Sequence, residues 1–316
     1  MESFPEKISE DSVLWVDVED PLDAEIKAIA QHFELDEQRL KELYEEGQRS
    51  KIEEQDDRIY CVVNFPKGEG FVSDVKTESL SLVVGGKWII TVHKGHSDIT
   101  CAVYKKISTH GYFALSLSPS TDILLYIFLD LITNEFFLVS DLVHERLQNL
   151  TKQAGALFRE RRRRSETSFG LEISKSRDQV LVMRQSIGPL REIVGKIARG
   201  EFALVSSALL TRFEDLYDRT ISLIEVVDNH REQISDITDI LINVQTLSTN
   251  NIIRVLTIIS AIFLPLALIA EVCGTNFGKG YFIPGSSSSF GFYAMVAIMI
   301  GVAVTLIVIF RRRGWL

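Results

Sequence analysis

The sequence predicts an α/β cytoplasmic N-terminal domain, a long α-helical stalk after it and two C-terminal transmembrane helices. Three observations carry this. Two uncharged apolar runs lie near the C-terminus: sixteen residues between Arg254 and Glu271, and twenty-one residues at 290–310. A hydrocarbon core of ~30 Å needs about 20 apolar residues, which both runs approach once their ends snorkel. Between Gly200 and Gly274 there is no glycine and a single proline, Pro265, as one uninterrupted helix requires. Before residue 120, by contrast, short strand-like and helix-like stretches alternate between turn residues.

Taken in order, residues 13–18 (VLWVDV) read as a strand, and Pro21 opens a helix beginning near Leu22. Asp36 is placed to cap a second helix through Tyr44. Strand signals follow at 58–65, 79–84 and 88–92, with Gly85 and Gly86 turning the chain between the last two. These define an N-terminal domain at 1–120. His93 and His96 form an H-x-x-H beside Asp98 at a strand end, a spacing that fits either zinc ligation or a surface loop. Cys61 and Cys101 read as small buried groups. No G-x-G-x-x-G, P-loop or nucleophile beside a base is present, so an enzyme is not expected, nor is a resident cofactor.

The stalk occupies 121–249. Residues 124–150 are periodic without proline or glycine, and a further helix runs after Gly170 toward Lys196, with Gly188 and Pro189 as a candidate kink. Arg159, Glu160 and the four arginines at 161–164 read as a solvated surface or as a contact with stalk acids or lipid headgroups. The glycine-free interval would span roughly 110 Å as a single helix. One of its faces repeats every three or four residues through Leu209, Phe213, Leu216, Thr220, Leu223, Val227, His230, Ile234, Ile237, Leu241 and Val244. That stripe needs a partner, which the preceding helices can supply, and His230 within it reads as a hydrogen-bonded packing residue.

The helix enters the membrane at 250–276, a short external loop fills 277–289, the second span is 290–310 and a basic tail closes the chain at 311–316. Pro265 should kink the first span or loosen one of its turns. Arg311, Arg312 and Arg313 follow the second span while the loop carries only Lys279, so both termini are expected in the cytoplasm. A second face of the long helix passes Glu225, Asn229, Glu232, Asp236, Asp239, Asn243, Thr246, Asn250, Ile253, Thr257, Ser260, Leu264, Ala267, Glu271 and Gly274. It is acidic, then neutral polar, then small or aliphatic, then acidic again. An amphipathic helix in water could show the first part alone, but an intramembrane Glu271 on the same line marks function. The gradient suits a path for cations.

Net charge of −9 disfavours nucleic acid as a partner and favours attraction of cations. Three widely spaced cysteines with no signal peptide before them place the soluble part in a reducing compartment. Two spans cannot enclose a pore, so conduction requires several copies, each stripe residue becoming a ring. Rings of Asn250 and Glu271 would bracket an apolar constriction at Ile253 and Leu264, where dewetting can close the path.

Several motifs together resemble the CorA superfamily of divalent-cation transporters. They are WVDVEDP at 15–21, QRSKIE at 48–53, PLRE at 189–192, LYDRT at 216–220, DILINVQTLSTN at 239–250, IFLPL at 262–266, the G-x-N tripeptide at 274–276 and the Trp-Leu end. The resemblance implies a funnel-shaped homopentamer in the cytoplasmic membrane, with divalent cation (Mg2+ or Zn2+) as substrate and regulator. Gly274, Thr275 and Asn276 match the family's Gly-Met-Asn selectivity filter, Asn250 the polar ring at the inner mouth, and Asp239, with Asp236 and Glu232 nearby, an acidic stalk position that binds cytosolic metal and favours the closed state. A ring of amide oxygens suits hydrated Mg2+, which dehydrates reluctantly.

Thr275, however, stands where magnesium members have methionine, Cys273 replaces a tyrosine, and the loop GKGYFIPGSSSSFGF is similar to that of the ZntB zinc-transporting branch. Glu271 with Cys273 would suit zinc, although Cys273 also reads as a packing residue. Three functions therefore stand: a CorA-type cation channel, a proton-coupled zinc transporter and a non-conducting two-span sensor or scaffold.

Overall fold

The computed structural model of the chain describes residues 12–45, 47–67, 76–110, 120–160, 166–274 and 289–315. The chain forms two compact units, Met1–Ala156 with Arg162–Thr238 and Leu157–Arg161 with Asp239–Leu316.

The first unit begins with strand β1 (Leu14–Glu19), helices α1 (Asp23–His32) and α2 (Glu37–Tyr44), and strands β2 (Lys51–Gln55), β3 (Arg58–Pro66), β4 (Thr77–Val84) and β5 (Trp88–His93). The sheet order is β1-β5-β4-β3-β2. From β2 to β5 the chain meanders antiparallel, whereas β1 joins β5 in parallel because α1 and α2 carry the chain across to the far edge. Asp36 caps α2 as its sequence position predicts, its Oδ1 accepting the Gln38 amide at 2.9 Å. At α1 the cap is half built: Glu25 accepts the Leu22 amide at 3.0 Å, but leucine has no oxygen to return.

Strand β2 lies outside the sequence expectation. Only Ile52 of KIEEQ is buried, so no apolar alternation announces it. Pairing with β3 holds it at the edge, through a two-residue turn at Asp56 and Asp57 with φ 52° and 57°, the left-handed pair that a tight hairpin requires. The β4–β5 turn closes through Gly85 N–H to Trp88 O at 2.8 Å. A side chain at Gly85 would meet the Trp88 ring at 2.4 Å, so glycine is needed there for space.

Burial follows the pleat. Tyr60, Val62, Val83, Ile90 and Val92 join Ile26, Ile29, Leu40 and Leu43 in one core between the sheet and α1–α2. The alternate residues Ile59, Cys61, Val63, Leu80, Leu82 and Ile89 are also fully buried, so the second sheet face is covered too. Trp15 meets Phe128 edge-on at 5.5 Å on that side.

After β5 come α3 (Asp98–His110), also unforeseen, then α4 (Thr121–Glu160), α5 (Glu166–Ala198) and α6 (Ser207–Gly274). Helix α5 starts before Gly170, which lies inside it, and includes Pro189. Along α4, Leu125, Phe128, Ile132, Phe136, Val139, Val143 and Leu147 are buried at a three-and-four spacing. The matching stripe on α6 is buried from Leu209 through Ile237, half-buried at Leu241 and buried again at Val244.

The LYDRT motif ties this packing together. Arg219 donates to Asp130 Oδ1 at 2.6 Å and to Asn134, and Lys106 reaches Asp130 at 3.2 Å. Tyr217 lies so close to α5 that a Cβ on Gly195 would stand 2.9 Å from its ring. His230 is the packing residue its stripe position implies: it is buried, and its Nε2 pairs with Ser140 Oγ at 3.0 Å.

The second unit holds the C-terminal part of α6, which carries Pro265 and continues as helix through it, and α7 (Ser289–Arg312).

Candidate cation pathway

Helix α6 places the polar stripe in the open from Glu225 to Glu271. Glu232 and Asp236 in the first unit are exposed, as are Asp239, Asn243, Thr246 and Asn250 in the second. Farther along, Ile253 is 55% and Leu264 74% accessible, and Thr257, Ser260, Ala267 and Glu271 are exposed. The covered side of this stretch runs through Ile258, Ala261, Ile262, Pro265, Leu266 and Ile269, which are buried or half-buried. At about 3.6 residues per turn, that side lies roughly half a turn from the stripe. Within its own chain, therefore, the stripe is left without cover, as are Leu256, Ile259, Phe263 and Leu268 beside it.

Two stripe hydroxyls are already satisfied as donors. Thr246 Oγ1 donates to Ile242 O at 2.8 Å and Thr257 Oγ1 to Ile253 O at 2.8 Å. A hydroxyl tied back in this way leaves oxygen lone pairs facing outward and no orphan proton in an apolar medium. The face presents acceptors, the polarity a hydrated cation meets well.

Gly274 is the last residue of α6. Thr275 and Asn276, and the loop before α7, lie outside the described residues. Among the described residues no three His, Cys, Asp or Glu side chains converge as a metal site within one chain.

His93 and His96 do not share a ligand position. His93 is buried, not at a loop surface, with Nδ1 2.7 Å from Gly95 O and Nε2 3.2 Å from Asp17 Oδ1. Both partners are acceptors, so both ring nitrogens donate when the ring is imidazolium. Burial pulls this imidazole down, but Asp17, Gly95 and Glu78 outweigh it and hold it above its ordinary value. His96 is exposed, 3.6 Å from Asp98 and 3.8 Å from the half-buried Cys101 Sγ. Cys61 is fully buried, which pushes its thiol up to about 12.

The WVDVEDP motif explains the burial of His93. Trp15 Nε1 donates to Thr91 Oγ1 at 2.9 Å, Thr91 in turn donates to Asp17, and Asp17 receives His93. Asp20 accepts Tyr44 Oη at 3.1 Å and Gly95 N at 3.0 Å. Alternation along β1 was the available signal, since it sets Trp15 and Asp17 on one sheet face; their partner strand was not readable from it.

A family model for CorA-like Mg2+ transporter protein matches residues 10–312. The chain belongs to the CorA family. Its members are ion transporters and not enzymes. The chain is 23% identical over 291 residues to the cobalt/magnesium transport protein CorA of Thermotoga maritima, covering 92% of this chain and 80% of that protein. Its fold matches the complete structure of the CorA magnesium transporter from Methanocaldococcus jannaschii with a TM-score of 0.83 at 23% identity, covering 99% of this chain and 95% of that one. A shorter stretch of 128 residues, 40% of this chain and 38% of the relative, is 25% identical to the zinc transport protein ZntB of an Enterobacter species. CorA membership makes this chain a transporter of divalent cations.

Proposed function

We propose that the chain assembles as a homopentamer in the cytoplasmic membrane, both termini inside, and conducts divalent cations along an axial pore lined by α6. Asn250, Ile253, Thr257, Ser260, Leu264, Ala267 and Glu271 line it, and Gly274, Thr275 and Asn276 form the filter that meets the hydrated ion. What supports this reading is the stripe: it is exposed along its whole described length and lies opposite the side its own chain covers. Fivefold repetition would convert its outward acceptors into rings around one axis. Asp239, with Asp236 and Glu232, would bind cytosolic metal between copies and hold the closed state, which metal scarcity then releases. In this reading 1–120 and 121–249 are the cytoplasmic domain and stalk, and 250–276 and 290–310 are the two spans.

The carried ion is the point on which a second reading has support. Glu271 is an exposed carboxylate in the apolar part of α6, and a ZntB zinc transporter is among the relatives. A carboxylate in a membrane path can carry protons, which would make this a proton-coupled zinc transporter. Uptake into proteoliposomes of the purified protein, with Mg2+ and Zn2+ indicators in parallel and with or without an inward proton gradient, separates the two. Magnesium flux indifferent to protons is the expected result; gradient-stimulated zinc flux selects the second reading, and no flux of either overturns both.

A further inference from the structure

Helices α5 and α6 leave an open groove of about 500 Å3 between them on the first unit. Its floor is Val180, Val227 and Ile234, all buried, and its rim carries Leu181, 52% exposed, among the exposed Arg177, Arg184 and Arg231. Arg184 is held by Asp228 at 2.8 Å, whereas Arg177 and Arg231 form no ion pair among the described residues. The groove therefore presents apolar surface with two positive charges in excess. A small inorganic anion would engage the arginines but leave Leu181 uncovered; an apolar patch rimmed by charge is the surface a protein partner covers.

A patch of the matching kind lies on α4 of the same chain. Leu138 is 60% exposed, and Asp141 and Glu145, both exposed, follow it at a three-and-four spacing. That line stands roughly half a turn from the buried stripe through Val139, Val143 and Leu147, so it points away from its own bundle.

Position around α6 decides which copy each patch meets. At about 100° per residue, three sides follow one another roughly a third of a turn apart: His230 toward α4, Asp228 and Arg231 toward α5, and the stripe from Glu225 to Asp236. With the stripes of several copies turned to a common axis, the α4 side of each copy faces the α5 side of the next. Height agrees as well. Ser140, beside Leu138, meets His230 at 3.0 Å, and Arg184 meets Asp228 at 2.8 Å, so both patches stand at one level of α6. A head-to-tail contact with no rise along the axis closes as a ring instead of growing as a filament.

We infer that the α5–α6 groove seats a second copy of this chain, Leu138 of one copy covering Leu181 of its neighbour, with Asp141 and Glu145 set against Arg177 and Arg231. This surface closes the stripe-centred ring proposed above, on which the assignment rests.

The test is cross-linking of the full-length protein in detergent by a short bis-maleimide, in a background carrying Cys101→Ser and Cys273→Ser. Leu138→Cys together with Leu181→Cys should give a ladder of multiples of the chain. Either cysteine alone should give no band above the background, because a head-to-tail contact is not self-complementary. Adding Glu145→Arg should lower the ladder at least about fivefold, and adding Arg231→Glu to that should restore it to within about twofold. Light scattering of the same samples separates two levels of failure. No ladder from a protein that is still a multimer overturns this interface and leaves the ring; a monomeric background protein overturns both. A ladder that Glu145→Arg leaves unchanged, or that Arg231→Glu fails to restore, overturns the charge pairing.

Discussion

Helix α4 and the membrane part of α6 are alike in what a length-and-composition test sees, and opposite in what surrounds them. Each contains a window long and apolar enough to cross a membrane, yet 61% of the α4 window is buried within the chain against 6% for α6 and none for α7. The difference lies in arrangement. Along α4 the largest side chains fall on one stripe, and Asp130 and Asn134 sit where Arg219 can reach them. Along the distal part of α6 apolar residues go all the way round, with Leu256, Phe263, Leu264 and Leu268 each more than half exposed. An amphipathic helix finds its solvent-excluding partners in its own domain, whereas one apolar on every side needs lipid or other copies. Apolarity alone does not identify a membrane helix; its distribution around the axis does.

The sharpest way to break this comparison is to shorten one side chain on each helix. Phe136→Ala removes a fully buried ring from α4 and should cost roughly 3–5 kcal/mol of folding stability, read as a large drop in the melting temperature of the full-length protein in detergent. Leu264→Ala, on a side chain 74% exposed in the chain, should leave that melt nearly unchanged and instead raise resting cation leak by widening the apolar constriction. Equal melts for the two variants would mean that α4 and α6 are not differently partnered.

Next in size are effects confined to the α6 side. Asn276→Ala should reduce uptake by more than about tenfold with assembly intact, because hydrated-ion recognition is lost rather than packing. Asp239→Asn should raise the internal metal concentration needed for inhibition by about fivefold or more, measured with metal-loaded proteoliposomes; unchanged inhibition would remove Asp239 from the gate.

The same contrast explains what could be read in advance. The stripes of α6 were legible because period and burial agree over many turns, so that Leu209 through Ile237 are buried in the expected rhythm. Strand β2 was not, since four of its five residues are polar and their place in the sheet comes from pairing with β3. Helix α3 was not legible for a related reason: His93, His96 and Asp98 are ligand types at close spacing, while Ile99 and Val103, both buried, supply the helical spacing that follows them. The burial of His93 depends on Asp17, seventy-six residues away, and no local pattern carries that distance. Of the candidate site, the stripe could be read from spacing; in the proposed assembly the ion it selects would depend on distances between copies, which no local pattern shows.

The smallest expected effect compares two buried histidines, one in each layer of the first unit. His230 is pressed below its ordinary value by burial and then by His144, stacked 5.6 Å away, with Ser140 and Asp141 only partly offsetting. Its neutral form is favoured on folding, so between its folded value and about 6.5 the unfolded chain binds more protons, and stability falls as the pH drops through that window. His93 is shifted the other way, because Asp17 and Gly95 overcome the burial. Its contribution is complete below about 6.5 and disappears as the pH rises through its folded value. Melting temperature followed from pH 5 to 8 should therefore lose part of its acid-side decline in His230→Gln and part of its alkaline-side decline in His93→Gln. One proton sets a ceiling of about 1.4 kcal/mol per pH unit on either slope. If both variants flattened the same side, at least one of these rings would be held in the charge state opposite to the one its partners dictate.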